Sequence, residues 1–382
     1  MLTLIKNTNL YTPKKLGKQD ILIADKKIVA IATNLDSFKN EHVKIIDAKN
    51  KIVTPGFIDQ HIHINGAGGK QGFASMTPEI SLSELIACGS TTVVGLLGTD
   101  GSARDIKSLY AKTKALEQEG ISAYMFSGYY GVDSLTITDS IQDDMVFIDK
   151  VLGCKIAISD IRSSYPTAEE LVRKLRAVMV GGFLSQKKGI LHVHLGGLES
   201  KLDLLFELVE KYKFPIKHIS PTHVGRTKEL FDEAIRFAKM GGIIDITTGA
   251  SKYTDPYKSV LYGIEQGASI ENMTFSTDGN AGLTRFDENK NPIGVKKAPV
   301  DTNLKETILL IKEGGLAIEE ALKLITTNPA RNLGLENKGK IEIGCDADFC
   351  FFDENLKLTD VFANGKQLMQ DIEIIVKGTF ES

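Results

Sequence analysis

The stretch FIDQHIHINGAGGKQG, residues 57–72, runs a β-rich segment into a loop in which four of the seven residues from Gly66 to Gly72 are glycine. On an extended strand, side chains two residues apart project from the same face. His61 and His63 therefore stand side by side where this strand gives way to its loop. Two imidazoles so placed suit one metal ion, although a pair of histidines on a strand is equally compatible with rings hydrogen-bonded into a core. The rest of the chain bears on that choice.

The same form, a short β-rich run closed by a polar or glycine-bearing loop and followed by an amphipathic stretch, recurs downstream. The further strand candidates are TTVVGLL (91–97), ISAYMFSG (121–128), CKIAIS (154–159), ILHVHL (190–195), IKHISPTH (216–223), GIIDITT (242–248) and MTFSTD (273–278). Between them, KLDLLFELVEKY and KELFDEAIRFAKM keep apolar residues three and four apart, as a helix facing a core requires. Thr77-Pro78-Glu79 predicts a helix start, and Thr167 to Glu170 reads as a capping box. Eight such units predict a (β/α)8 TIM-like barrel over residues 56–338, with its active site at the carboxyl ends of the strands. A doubly wound open sheet is the alternative built from the same elements.

The flanks differ in kind. Residues 1–55 and 339–382 are strand-like, with turn signals and no helix of useful length, and neither is large enough to bury a sheet alone. They are expected to join as one discontinuous small domain, a β-sandwich built from both termini.

Composition narrows the partners. Lys and Arg total 46 against 49 Asp and Glu, a net charge of -3 with mixed signs, so there is no basic stripe for nucleic acid and no polybasic tail for a membrane. No run reaches the roughly 20 apolar residues of a spanning helix, and the amino terminus lacks the apolar core of a signal peptide. A cytoplasmic protein acting on a small molecule is expected. Cys88, Cys154, Cys345 and Cys350 form no close pair and read as reduced, buried residues.

Further candidate ligands fall at other strands. His194 closes ILHVHL, His223 closes IKHISPTH, Asp278 closes MTFSTD, and Lys155 opens an apolar run where an unpaired ammonium is costly. Singly, each has an ordinary explanation: a core histidine, or a carboxylate capping a turn. Together they place metal-binding groups at one rim of the barrel. His192 shares a face with His194 but lies one pleat deeper, which makes His194 the better ligand; His42 and His218 have no comparable setting.

The order His-x-His, Lys, His, His, Asp on strands one, four, five, six and eight resembles the amidohydrolase superfamily with two metals. More narrowly, QHIHINGAGG, STTVVGLLGTD, CKIAISDIRSS, PTHVGR, FSTDGN and GCDAD are similar to the isoaspartyl (β-aspartyl) dipeptidases, over nearly the whole chain. The resemblance implies a binuclear zinc amidohydrolase whose Lys155 carries a CO2-derived carbamate. It assigns His61, His63 and Asp278 to one metal, His194 and His223 to the other, and the carbamate and a hydroxide to both. Such a pair brings the pKa of bound water toward about 7 and polarises the scissile carbonyl. Asp278 then takes the hydroxide's proton and passes it to the leaving amine. Arg162 and Arg226, on loops above the strand ends, are implied to bind the substrate, and guanidinium forks suit carboxylates. Tyr130 is implied to reach the reacting carbonyl, and Gly68 and Thr99 to line the substrate. A homo-oligomer acting on an acidic amide or dipeptide completes what the resemblance implies.

Two positions depart from the family pattern. Lys70 stands where the dipeptidases have a glutamate that receives the substrate's α-amino group, and Gly282 where they have a serine that contacts the substrate. Two divalent ions less carbamate, Asp278 and hydroxide leave roughly +1; the arginines bring this to roughly +3, and Lys70 to roughly +4. Like charges about 4 Å apart cost several kcal/mol even at a surface-like dielectric. The expected substrate therefore keeps the isoaspartyl-like amide and carboxylate but has its amino group acylated, absent or replaced by an acid. A nucleotide loop is excluded for GAGGK, because Ile64 and Gln71 stand where the phosphate-binding pattern needs Gly and Ser or Thr. A cyclic-amide hydrolase of the dihydroorotase or hydantoinase kind shares the metal chemistry and differs in substrate. A metal-free relative serving as a scaffold is the reading from another class, and the complete ligand set speaks against it.

Overall fold

The structure is a computed structural model and describes residues 2–249, 253–289 and 291–381. Eight strands form one parallel sheet: β1 (Phe57–Ile62), β2 (Ser90–Gly95), β3 (Ser122–Gly128), β4 (Val151–Ile158), β5 (Ile190–Leu195), β6 (Ile219–Thr222), β7 (Ile244–Thr247) and β8 (Met273–Ser276). Each strand pairs with the next in sequence, from β1 through to β8. The ends meet through Asp278 N–H donating to His61 O at 3.1 Å and His63 N–H donating to Gly279 O at 3.0 Å. Sequential order joined across that seam is a (β/α)8 barrel and leaves no place for a doubly wound sheet, whose order reverses.

Apart from the partly buried Tyr124 on β3, all eight strands are buried along their length, as expected where helices cover the outside and side chains fill the inside. The outer helices form where the pattern of apolar residues demands. Helix Lys228–Lys239 buries Leu230, Phe231, Ala234, Ile235, Phe237 and Ala238, and Thr227 caps it by accepting from Leu230 N–H. The capping box of Thr167 and Glu170 opens helix Ala168–Ser185.

Three sequence expectations are displaced. Thr77 does not start a helix; Ser81 and Glu84 make the capping box, and the helix is Leu82–Ile86. The Thr77 hydroxyl instead accepts from Ala67 N–H at 2.8 Å and donates to Asn280 O at 2.7 Å, tying the glycine-rich loop to the segment after β8. Strand β6 is shorter than its apolar run, because Ile216–His218 forms a 3-10 turn after Pro215, with His218 Nδ1 2.8 Å from Gly189 O. Lys155 lies inside β4 rather than at its start, since β4 begins at Val151.

The strand segments of the two termini hydrogen-bond into one nine-stranded sheet. Ile52–Pro55 joins the halves, pairing parallel with Leu2–Tyr11 and antiparallel with Phe349–Phe352. Alternation splits strand Phe349–Phe352 between two cores: Phe349 and Phe351 face the terminal sheet's interior, and Cys350 and Phe352 pack with the barrel. All four cysteines are free and buried. Among the described residues no helix is long and apolar enough to cross a membrane.

Candidate metal centre and substrate cleft

The barrel brings the six candidate ligands together. Lys155 Nζ lies 3.2 Å from His61 Nε2, and Asp278 Oδ1 lies 3.1 Å from His63 Nε2 and 3.4 Å from His61 Nε2. The His223 ring is 4.9 Å from that of His61 and 4.5 Å from that of His194, centre to centre. Ligand atoms of His61, His223 and Asp278 all fall within 4.8 Å of one another. His223 and Asp278 follow their strands in the left-handed region, at φ of 64° and 51°. Non-glycine residues adopt that conformation at a cost, and it recurs where side chains are turned into functional sites.

Every imidazole of the set is engaged from behind. His63 Nδ1 donates to Leu96 O at 3.2 Å; a carbonyl only accepts, so Nε2 keeps its lone pair for the centre. His194 Nε2 donates to Asp160 Oδ2 at 2.9 Å, leaving Nδ1, which now accepts from the Tyr130 hydroxyl at 2.8 Å. His223 Nδ1 lies 2.6 Å from Thr247 Oγ1, and His61 Nδ1 lies 2.8 Å from His192 Nε2. One nitrogen protonated and held by the protein, the other keeping its lone pair, is how proteins present histidine to a metal.

The electrostatics agree. Burial, and then the Lys155 charge, hold the His61 imidazole down to about 3; burial also keeps His194 and His223 well below the ordinary range, so all three are neutral at working pH. Burial likewise pulls Lys155 down to about 7. Its side chain is fully buried, and no carboxylate is in ion-pair reach of it among the described residues. Burial opposes ionisation of Asp278, yet without a cation a His61 or His63 N–H turned toward it keeps its carboxyl well below the usual range, and a bound cation would take the place of that donor once the rings carry their protons on Nδ1. Four neutral imidazoles, a carboxylate and an amine that gives up its proton easily are a nitrogen and oxygen donor set that fits zinc-like cations.

A cleft of about 730 Å³ opens above these residues. Gly68, Lys70, Thr99, Tyr130, Arg162, Arg226 and Gly282 all line it, together with His63, His194 and Asp278. Arg162 spends Nε and one Nη on Asp160, at 2.9 and 2.6 Å. Arg226 is differently placed: its Nε is buried and makes no hydrogen bond among the described residues.

Residues 52–379 match the amidohydrolase family. The β-aspartyl dipeptidase of Fervidobacterium islandicum AW-1, solved in complex with a β-Asp-Leu dipeptide, is 40% identical, with a TM-score of 0.90 over 98% of each chain. This chain belongs to the amidohydrolase family, on its β-aspartyl dipeptidase branch. The dihydroorotase of Ligilactobacillus salivarius is 26% identical over 93% of this chain and 90% of its own. Dihydropyrimidinase from Brevibacillus agri shares the fold at 16% identity and a TM-score of 0.67, covering 99% of this chain and 97% of that one.

Against that family background the glycine-rich loop is informative. A Cβ on Gly282 would lie 2.8 Å from Gly68 Cα, and Gly68 has φ of +98° and Ser75 O in the way of any side chain of its own. The two glycines let the loop that carries Lys70 rest directly on the segment after β8. Arg104 holds the same loop from the other side, donating to the carbonyls of Asn65 and Thr77. Sequence reasoning missed Asp160, which joins His194 to Arg162; its only local signal is its place two residues before that arginine. Asp59 was also missed. Its carboxylate accepts from His61 N–H at 3.3 Å and Thr277 N–H at 3.2 Å and from the Thr277 hydroxyl, so it braces the seam between β1 and β8.

Proposed function

We propose that this amidohydrolase cleaves β-aspartyl-type amides, with a preference altered at the substrate's amino group. The observation that carries the reading is the convergence of four backed imidazoles, Lys155 and Asp278 beneath a cleft that holds two guanidinium groups. The likeness to a β-aspartyl dipeptidase across the whole chain supports the same reaction class. His61, His63 and Asp278 would hold one divalent cation, His194 and His223 a second, and a carbamate on Lys155 both, with zinc the best match to the donors. When bound, the cations supply an acidified water as nucleophile and polarise the scissile carbonyl.

The chain's own groups do the rest. Asp278, ionised, takes the proton of the attacking water and delivers it to the leaving nitrogen. Tyr130, whose phenol burial pushes up and so keeps protonated, donates from its hydroxyl to the oxygen of the reacting carbonyl. Arg226, with its unmet buried Nε, binds a substrate carboxylate, and Arg162 is held rigid by Asp160 to share that task. Tyr130→Phe is expected to lower kcat by roughly 100- to 1000-fold with KM little changed. An equal loss in KM alone would make Tyr130 a binding group.

Carbamate formation is the attack of neutral Lys155 Nζ on CO2, which makes an N–C bond and releases a proton. Because burial brings this amine to about 7, it is substantially neutral near pH 8 and protonated near pH 6. At a fixed concentration of dissolved carbon-13 CO2, reconstitution of metal-free protein with Zn(II) should thus be fast at pH 8 and slow at pH 6, followed by NMR of the labelled carbamate. Rates independent of pH across that interval would count against the carbamate.

The test of function is a panel of β-aspartyl dipeptides, their N-acyl and amine-free analogues, and cyclic ureides. N-blocked or amine-free substrates are expected to lead. The dihydroorotase reading has its support in the curated relatives at 26% identity, and leading turnover of a cyclic ureide would establish it instead.

A further inference from the structure

We propose that His192 is a positioning residue for the metal centre: it sets which nitrogen of His61 carries the proton, and Ser220 and Asn332 in turn hold His192. This inference rests on the binuclear reading above. His192 lies on β5, fully buried, with its ring stacked on Phe126 at 4.9 Å and 13°. Its Nε2 is 2.8 Å from His61 Nδ1, and its Nδ1 is 3.3 Å from Ser220 Oγ. Asn332 Nδ2, from helix Thr327–Leu333 beneath the barrel, donates to Ser220 Oγ and to Gln60 Oε1, both at 2.9 Å.

The far end of this chain has a fixed polarity. Asp245 accepts from Gln60 Nε2 at 2.7 Å and from the hydroxyls of Thr222, Thr274 and Ser276. A carboxylate receiving so many donors turns the Gln60 amide nitrogen toward itself, which leaves Gln60 Oε1 to accept from Asn332. The Asn332 amide is thereby oriented, with its nitrogen toward Ser220.

The near end is constrained by ligation. His61 aims Nε2 at Lys155 and Asp278, so binding a cation there requires its proton on Nδ1. That proton needs an acceptor in a fully buried place, and His192 Nε2 is the group in reach. His192 accepts only if its own proton is on Nδ1, where Ser220 Oγ receives it. His63 is backed by a carbonyl, His194 by a carboxylate and His223 by a hydroxyl. His61 is backed by a second imidazole, whose polarity must be set from further away.

The test titrates metal-free wild type, His192→Phe, His192→Gln and Ser220→Ala with Zn(II) against a chromophoric chelator, and records the thermal midpoint of each metal-free protein. Phenylalanine keeps the stack on Phe126 and removes the acceptor. One of the two ions should bind roughly 10- to 100-fold more weakly, the other as before, with the metal-free midpoint unchanged. His192→Gln, whose Oε1 can accept from His61, should recover most of the affinity, and Ser220→Ala should show a smaller loss in the same ion. Wild-type affinity for both ions in His192→Phe overturns the proposal. So does equal loss in the Phe and Gln variants, or weakening of both ions with a falling metal-free midpoint. Should wild type itself take up fewer than two ions, the binuclear reading fails on its own. The relay is then judged by nitrogen-15 imidazole shifts in metal-free protein: His61 protonated on Nδ1 in wild type and not in His192→Phe upholds it, and no difference overturns it.

Discussion

Lys155→Ala protein is expected to lose at least roughly 10,000-fold in kcat/KM, and the proposed metal with it, because two contributions of several kcal/mol each disappear together. The buried amine is the group among the six proposed ligands that can become an anionic bridge, since the imidazoles around it are neutral and Asp278 is proposed to serve a single cation. Asp278→Asn should be nearly as severe but should retain more metal, because the amide oxygen still donates a lone pair while the proton acceptor is gone. Metal analysis beside circular dichroism separates the two: folded, metal-poor Lys155→Ala and folded, metal-bearing, inactive Asp278→Asn. Undiminished turnover by a metal-depleted Lys155→Ala preparation would falsify the mechanism.

Lys70→Glu should invert the substrate preference. The cleft already holds Arg162 and Arg226 beside the proposed cations, so an ammonium meets positive charge wherever it enters, and Lys70 adds to it. Reversing that charge exchanges a repulsion of a few kcal/mol for an attraction. Lys70 is exposed, so solvent screening reduces the effect, and a change of roughly 100-fold in the kcat/KM ratio of free-amine to N-blocked substrate is expected. The Gly68 contact limits the companion change: Gly282→Ser must push the loop away from the segment after β8. The double variant Lys70→Glu, Gly282→Ser should therefore gain less than Lys70→Glu alone. Equal ratios in wild type and Lys70→Glu would remove Lys70 from the account of specificity.

Much of the barrel was legible because its signals are local. ILHVHL is a strand with the bounds its pattern implies, and the Thr167 capping box opens its helix, since both depend on residues within a few positions. Thr77 misled for a physical reason: a hydroxyl before a proline is a helix cap only if no stronger claim is made on it, and Ala67, across the adjoining loop, and Asn280, from a distant part of the chain, make that claim. Asp160 was invisible because its importance lies in facing His194 from the loop after the neighbouring strand, 34 residues away.

The sequence by itself determined the succession of strands and helices, the chemical kind of group at each strand end, and the reversed charge at position 70. These follow from periodicity, capping and composition, which act over a few residues. Only the tertiary structure decided which nitrogen of each histidine is turned inward, why a side chain at Gly282 must displace the Gly68 loop, and that Asp245, Asn332 and Ser220 lie in one hydrogen-bonded line below His61. Those properties belong to pairs of groups brought within about 3 Å by barrel closure, and a hydrogen bond has no signature until both partners are in place.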